Sequence, residues 1–497
     1  MIDIISILSS KEKVNIEAKL AERGIPNSIW DTYSSFANTF GGVILLGVEE
    51  NKETHELIPK GVNDAQQMIS DFWNTMNNPT KISANILLDH HVYKVPYNGM
   101  ELVAIEVPRA DRRDKPVYVG PDMFKGSYKR NHEGDYHCSK EEIKAMLRDQ
   151  ADTPQDALML ETHTLDSLNQ DSIRSYRTLF NNLKPNHVWA KLGLEEFLMK
   201  IGAAKKSQVD GKVHPTLGGL IFFGDFNIIT DELPNYFLDY RERCSSDSRW
   251  SDRITSGDGN WSGNIFDFYY KIIDRMLSDV KRPFKLDENL LRVDETPIHT
   301  GLRECLANAL IHADYYGRQG IVIDKEFRRI TISNPGTFRI SIDEAIAGGI
   351  SDARNGKIFN MFSLINVGER SGSGICDVFH VWEQNGLPRP EFVESVEPDR
   401  IILTLQTESV YNHEGNVRNH EGNVHNNEGN AGTAEGNLSD NERLVLSIIQ
   451  STPTATAKVI AAKCGISDKT VTRLCKSLKD KGLIKREGNT RGKWIVL

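Results

Sequence analysis

Glu304, Asn308 and His312 recur at intervals of four in the run Leu302-Arg-Glu-Cys-Leu-Ala-Asn-Ala-Leu-Ile-His-Ala-Asp-Tyr315. A helix here carries all three on one stripe, beside an apolar stripe of Leu302, Leu306, Ala309 and Leu310. Three aligned polar side chains next to buried ones suit the wall of a cleft. The bland alternative is an exposed helical pair, Glu304 with His312, worth a few tenths of a kcal/mol. At the other end of the chain, Glu12 and Glu17 stand five apart with Lys19 two residues further on. Converging carboxylates suit Mg²⁺ or Mn²⁺, hard cations that take oxygen ligands and clamp a phosphodiester. Solvated acids paired with Lys19 are the competing reading. His132, His137 and Cys138 also lie close together, but zinc needs four ligands and no second Cys or His pair stands nearby. They read as a polar loop with a buried thiol.

The elements that position these groups alternate between helical and strand patterns. Ile29, Tyr33, Phe36, Ala37 and Phe40 share one helical face, Gly41-Gly42 ends that helix, and Val43–Val48 reads as a buried strand. Strand-like runs recur at Leu102–Val107, Leu217–Phe223, Gly320–Asp324, Arg329–Ser333 and Arg400–Leu405, and helical ones near 140–149, 165–182, 265–278 and 300–313. The expected fold is mixed α/β (α+β) and multidomain, with domains at 1–150, 151–285 (a connecting region), 286–408 and 439–497, and a tether at 409–438.

The 497 residues carry a formal charge of -9, unevenly spread. Ser439–Leu497 holds twelve Lys/Arg against five Asp/Glu, a balance of +7, which leaves -16 on the rest. A basic module on an acidic body points to a nucleic-acid-binding appendage. Ahead of it, Glu414, Glu421, Glu428 and Glu435 mark a seven-residue repeat rich in Asn and Gly. It lacks the two apolar positions per heptad of a coiled coil and reads as a flexible tether. Six scattered cysteines without a CxxC pair, a start with no basic leader and the absence of any stretch of ~20 apolar residues lead to the expectation of a cytoplasmic protein with no membrane partner. There is no G-x-x-x-x-G-K-[ST] loop, so a P-loop motor is not supported. A homo-oligomer is left open.

Glu12, Asn15-Ile-Glu17-Ala-Lys19, Ser35-Phe-Ala-Asn-Thr-Phe-Gly-Gly42 and Gly47-Val-Glu49-Glu50 occur in order, followed by Lys115-Pro-Val-Tyr118 and Gly126-Ser-Tyr-Lys-Arg130. Residues 1–150 therefore resemble the Schlafen AlbA-type domain, with Ala18 where the family usually has Phe. The resemblance implies nucleic-acid binding, of RNA or DNA. By analogy with its nuclease members it also implies a triad of Glu12, Glu17 and one of Glu49 or Glu50 holding Mg²⁺ or Mn²⁺. A metal-dependent RNA/DNA endonuclease is thus the alternative function.

The helix with Glu304, Asn308 and His312 resembles the N-box of the GHKL ATPases, such as gyrase B, histidine kinases and MutL. In that superfamily the Glu orients the attacking water and the Asn holds Mg²⁺ against ATP phosphates. Its partners follow in order. Ser333-Asn334-Pro335-Gly336 stands where the superfamily has an Asp-x-Gly box whose Asp reads the adenine amino group. Gly368-Glu-Arg-Ser-Gly372-Ser-Gly374-Ile resembles the box that closes on phosphates through backbone N–H groups at a helix start. The implied cofactors are ATP and Mg²⁺, held by Asn308, His312, Asn334, Gly336, Gly372 and Gly374. Glu304 would be catalytic if the domain hydrolyses ATP. Thr216–Gly224 is read as a bridging strand of this architecture.

Residues 439–497 resemble a winged helix-turn-helix: a Ser439 capping box with Glu442, helices at Thr456–Cys464 and Asp468–Asp480, then a hairpin with a basic tip. The resemblance implies that Lys469, Thr470, Thr472, Arg473 and Lys476 face the DNA groove while Val471, Leu474 and Leu478 stay in the core. Arg486, Arg491 and Lys493 would contact phosphates from the wing. Together these readings lead to the expectation of an ATP-binding, DNA-binding transcriptional regulator.

Overall fold

The computed structural model describes residues 7–8, 14–22, 24–51, 53–243, 250–278, 280, 295–350, 352–368, 374–407, 445–446, 448–450, 455–464, 468–480, 483–487 and 493–496. The chain is mixed α/β and divides into two compact units, 1–414 and 415–497. The tether at 409–438 lies outside the described residues.

At the N-terminal end, a four-stranded sheet runs in the order Ile16–Lys19, Gly42–Leu46, Met100–Val107, Val92–Tyr97, the first pair parallel and the others antiparallel. The helix Ile29–Asn38 covers it, and Ile29, Tyr33, Phe36 and Ala37 are fully buried, as their spacing requires. Ile29 and Phe36 each contribute roughly 2 kcal/mol by leaving water. Gly41 turns the chain into the second strand at φ +75°, and a Cβ there would lie 2.8 Å from the Val107 carbonyl oxygen.

The polar letters of the Ser35–Gly42 motif and its neighbour Ser34 have a structural use. Asn38 accepts from the Val117 N–H at 2.8 Å and donates to the Val117 and Tyr128 carbonyls. Ser34 donates to the Val117 carbonyl, and Thr39 accepts from the Arg130 N–H at 2.9 Å. The helix end thereby satisfies the backbone of the later Lys115–Tyr118 and Tyr128–Arg130 segments, which ties the motifs together in space.

The larger core is built on a six-stranded sheet in the order Asp252–Thr255, Leu238–Arg243, Ile321–Glu326, Arg329–Pro335, Asp399–Gln406, Glu391–Val396. Leu238–Arg243 pairs parallel with Ile321–Glu326, and the other neighbours are antiparallel. Ile323, Ile330, Ile332, Leu403 and Leu405 form its inner face against the helices Ile265–Leu277, Pro297–His312 and Gly374–Gln384. One hydrophobic cluster runs from Leu160 to Leu405, so the expected cut at 285 marks no break in the core. The first two strands come from the stretch read as connecting because a parallel neighbour is recruited across a long crossover, which local pattern does not reveal.

Leu217–Phe223, expected as a strand, is a helix whose seven residues are all buried. A short apolar run buried on every side has no periodicity to separate the two conformations. The Thr216 hydroxyl caps it by accepting from the Gly219 N–H at 3.0 Å, and Gly219 lets it approach Ala203, whose carbonyl oxygen would sit 1.9 Å from a Cβ.

In the second unit, the helices Ala457–Cys464 and Asp468–Asp480 and the hairpin Ile484–Glu487 with Lys493–Val496 surround Val445, Ile449, Ile460, Val471, Leu478 and Ile484. The Ser439–Glu442 cap, the 465–467 turn and the hairpin tip lie outside the described residues.

Candidate nucleotide cleft and nucleic-acid interface

The helix Pro297–His312 begins with Pro297 at its first position and is closed at its far end by four side-chain contacts. The Tyr315 hydroxyl donates to the Leu310 carbonyl at 2.7 Å. The Asn355 amide donates to those of Ile311 and Ala313, both at 2.8 Å, and Arg354 Nη1 to that of His312 at 2.5 Å. These carbonyls have no partner within the helix, and the Arg354 charge is favourable at the negative end of the dipole. These bonds tie the end of the helix, with its polar stripe, to the segments packed around it.

Glu304, Asn308 and His312 line one cleft of about 120 Å³, with Asn334 and Gly374 in the same wall. Asn308 Nδ2 donates to Glu304 Oε1 at 3.2 Å, leaving the Asn308 carbonyl oxygen for other partners. Gly374 starts the helix Gly374–Gln384, and a Cβ there would lie 2.2 Å from Glu304 Oε1. Glycine is what allows the carboxylate to sit over that helix start, where an anion is favoured. His312 is kept neutral, its pKa pushed down to about 4 by burial and by the Arg354 and Arg339 guanidiniums.

Asn334 projects from the inner face of the sheet beside Ile332, Ile401 and Leu403. Its side chain is 6% exposed and makes no hydrogen bond among the described residues. Gly336 adopts φ +97°, and a Cβ would lie 2.5 Å from Arg354 Nη1. It therefore shapes the turn behind the cleft. Gly372 lies outside the described residues.

The pattern of types and spacing did not single out the charged groups on the rim. Arg339 Nη1 donates to the Ala353 carbonyl at 3.1 Å and faces Asp352 at 3.4 Å, while its Nε is buried without a hydrogen-bond partner. Burial holds its pKa below the usual arginine range. Arg112, from the N-terminal block, reaches Asp352 at 2.5 Å, and Arg109 reaches Glu394 at 2.6 and 2.8 Å. The run Asp352-Ala-Arg-Asn355, charged residues within an apolar and glycine-rich stretch, is a local signal for Asp352 and Arg354 alone.

Four family models match along the chain. Residues 8–139 match "Schlafen, AlbA_2"; residues 321–405 match "Putative ATP-dependent DNA helicase recG C-terminal"; residues 438–485 match "Winged helix-turn-helix DNA-binding". The chain joins a Schlafen AlbA_2 domain, a RecG-type C-terminal domain and a winged helix-turn-helix. Between the first two, residues 144–239 match a domain of unknown function (DUF8451). The RecG-type match starts after the helix that carries Glu304, Asn308 and His312. No curated protein matches this chain. Among solved structures, the DIP2311 protein of Corynebacterium diphtheriae aligns over 98% of this chain and 93% of its own, at 17% identity and a TM-score of 0.40. The N-terminal domain of a "Putative ATP-dependent DNA Helicase RecG-related Protein" from Nitrosomonas europaea aligns over 27% of this chain and 90% of its own, at 25% identity and a TM-score of 0.22.

In the AlbA_2 domain, Glu17 is paired with Lys19 at 2.7 Å and with Arg130 at 3.1 Å. Arg130 is 2% exposed, also holds Asp135 at 2.9 Å, and lies over the Phe36 ring. Glu49 faces Lys60 at 3.5 Å and Glu50 faces His55 at 3.1 Å, both exposed on the strand Val48–Glu50. Glu12 lies outside the described residues. Among the described residues no three His, Cys, Asp or Glu side chains gather as a metal site. His137 packs on the Tyr128 ring, and Cys138 is buried, its thiol pushed up to about 12 by that burial.

In the winged helix-turn-helix, the helix Asp468–Asp480 presents Thr472, Arg473 and Lys476 as exposed and Thr470 as half-buried, while Val471, Leu474 and Leu478 are buried. Lys469 lies on the same helix, and Arg486 and Lys493 on the hairpin strands. Arg491 lies outside the described residues. No helix among the described residues is long and apolar enough to cross a membrane.

Proposed function

We propose that the chain is a nucleotide-dependent, DNA-bound transcriptional regulator. Its RecG-type domain takes ATP with Mg²⁺, and its winged helix holds DNA. The reading rests on one observation: Glu304, Asn308 and His312 from one helix, Asn334 from a strand and Gly374 from a second helix line a single cleft. The donor set suits a nucleotide. A phosphate would take the place at the start of the Gly374–Gln384 helix over which the Glu304 carboxylate now lies. Asn308 offers a hard oxygen to Mg²⁺, which would neutralise phosphate charge, and the Asn334 amide is available to a base. Glu304 is placed beside Asn308 to orient a water if the domain hydrolyses its ligand.

The test is a thermal-shift titration of the full chain. Mg²⁺ with ATP should raise the melting temperature, because a ligand selective for the folded state stabilises it by mass action. Asn308→Ala should abolish the Mg²⁺-dependent part. No shift in the wild type at millimolar ATP would sink the nucleotide reading and leave the motifs as determinants of the fold.

A further inference from the structure

Lys115, from the Lys115–Tyr118 segment of the AlbA_2 domain, is buried, and its ammonium makes one hydrogen bond, to the Asn38 carbonyl at 2.8 Å. Its other N–H groups have no partner among the described residues. Lys115 lines a cavity of about 60 Å³ together with Asp399, from the strand Asp399–Gln406 of the six-stranded sheet. Asp399 is partly buried, and its carboxyl makes neither a hydrogen bond nor an ion pair among the described residues. The charges around these two are matched. Arg109 is held by Glu394, Arg112 by Asp352, Lys129 by Glu142 and Arg354 by Asp149. Arg339, its side chain 8% exposed, faces Asp352 through Nη1 but keeps a buried Nε–H without a hydrogen-bond partner. Buried donors left over in a polar cavity call for an acceptor.

We propose that this cavity binds a small tetrahedral oxyanion of the size of phosphate or sulfate, with oxygens on Lys115 Nζ and Arg339 Nε and a further one on the Asp399 carboxyl. The volume suits it, with room for about four waters at roughly 15 Å³ each. The electrostatics agree. Burial and the Arg109 guanidinium push the Lys115 ammonium down to about 7, against the pull of Glu394, Asp149 and Asp399, so its charge is under-compensated. Burial, with Glu142 and Asp314, pushes the Asp399 carboxyl up to about 7, against Lys129 and Arg354. An anion matches the ammonium, and the carboxyl meets it in either form. Protonated, Asp399 donates to any oxyanion; ionised, it only accepts, and hydrogen phosphate has a P–OH to give where sulfate has none. The cavity shares Thr337, Phe338, Arg339 and Arg354 with the nucleotide cleft but not Glu304, Asn308 or Asn334, so it stands without the nucleotide reading.

Calorimetric titration of the full chain with inorganic phosphate and with sulfate, at matched ionic strength and at about pH 6 and about pH 8, tests the proposal. At the lower pH the two ions should bind alike. At the higher pH sulfate should fall about tenfold behind phosphate, because only about one Asp399 in ten keeps its proton a unit above its pKa. Loss of the Lys115 proton weakens both ions together, so their ratio reports Asp399 alone. Asp399→Asn, whose amide donates at either pH, should hold the ratio flat. Lys115→Met should weaken both ions by more than about tenfold, the scale of one charge-assisted hydrogen bond. If that variant does not fold, the ratio in Asp399→Asn carries the test. Glycerol 3-phosphate, larger than the cavity, should not compete with phosphate, and equal competition would overturn the assignment to a free ion. Binding of neither ion to the wild type, a ratio indifferent to pH, the same pH trend in Asp399→Asn, or undiminished binding in Lys115→Met would each overturn the proposal.

Discussion

Asp149 and Arg354, 205 positions apart, form a two-pronged ion pair, with Oδ1 accepting from Nε at 2.9 Å and Oδ2 from Nη2 at 2.8 Å. Asp149 lies in the last turn of the helix Lys140–Gln150, just beyond the AlbA_2 match, while Arg354 also donates to the His312 and Thr337 carbonyls at the wall of the cleft. Arg148 adds a second tie, to Asp314 at 2.8 Å. Burial raises the Asp149 carboxyl, but Arg354, Arg339 and Arg148 outweigh it and hold its pKa below the usual range. The back of the candidate nucleotide cleft is thus fastened to the N-terminal part of the chain.

Removing one member of this pair should be costly. Asp149→Ala leaves the Arg354 guanidinium buried with an unmatched charge, and a loss of about 3–5 kcal/mol is expected. Denaturant unfolding of the full chain measures it. A change below about 1 kcal/mol would mean that solvent or another acid compensates the guanidinium, contrary to a buried two-pronged pair.

Glu17 is the acid that most directly sets the structural role against the catalytic one. Glu17→Gln removes the negative partner that shares Arg130 with Asp135, and should lower stability by about 1–3 kcal/mol. A metal ligand predicts something else: a Mn²⁺-dependent stabilisation, or RNA or DNA cleavage, present in the wild type and absent in the variant. Either result would revive the nuclease alternative.

The pH dependence separates two partly buried groups of opposite sign. His312 titrates near 6.5 when unfolded and at about 4 when folded, so the unfolded state takes the proton first and stability falls as pH drops from about 6.5 to about 4. Asp399, raised to about 7 by burial and the nearby Glu142, keeps its proton in the folded state and works the other way over roughly pH 4 to 7. His312→Asn should therefore lose less stability than the wild type between pH 7.5 and pH 5. Parallel melting curves for the two proteins would contradict the neutral assignment of His312.

DNA binding should depend on the exposed face of Asp468–Asp480. Charge reversal at Arg473 and Lys476 in the full chain should weaken duplex binding at every sequence. It should also reduce the salt slope by about one unit for each phosphate no longer neutralised. If the wild type fails to bind any duplex at low salt, the winged helix serves as a protein-interaction module instead.

What the sequence determined by itself was local and periodic. The four-residue spacing put Glu304, Asn308 and His312 on one stripe, the apolar spacing of Val471, Leu474 and Leu478 oriented the helix that bears Arg473, and the order of short motifs named three domains. Those features survive because they depend on residues within a turn or two of one another. The tertiary structure decided the rest. It made Leu217–Phe223 a helix, since a run buried on all sides carries no period. It brought Leu238–Arg243 into the same sheet as Ile321–Glu326 and paired Asp149 with Arg354. It turned Glu17 toward Arg130 and left the Asn334 amide without a partner among the described residues. Each of these depends on which distant group arrives to supply a hydrogen bond or a charge, and that arrival is set by packing across the whole core.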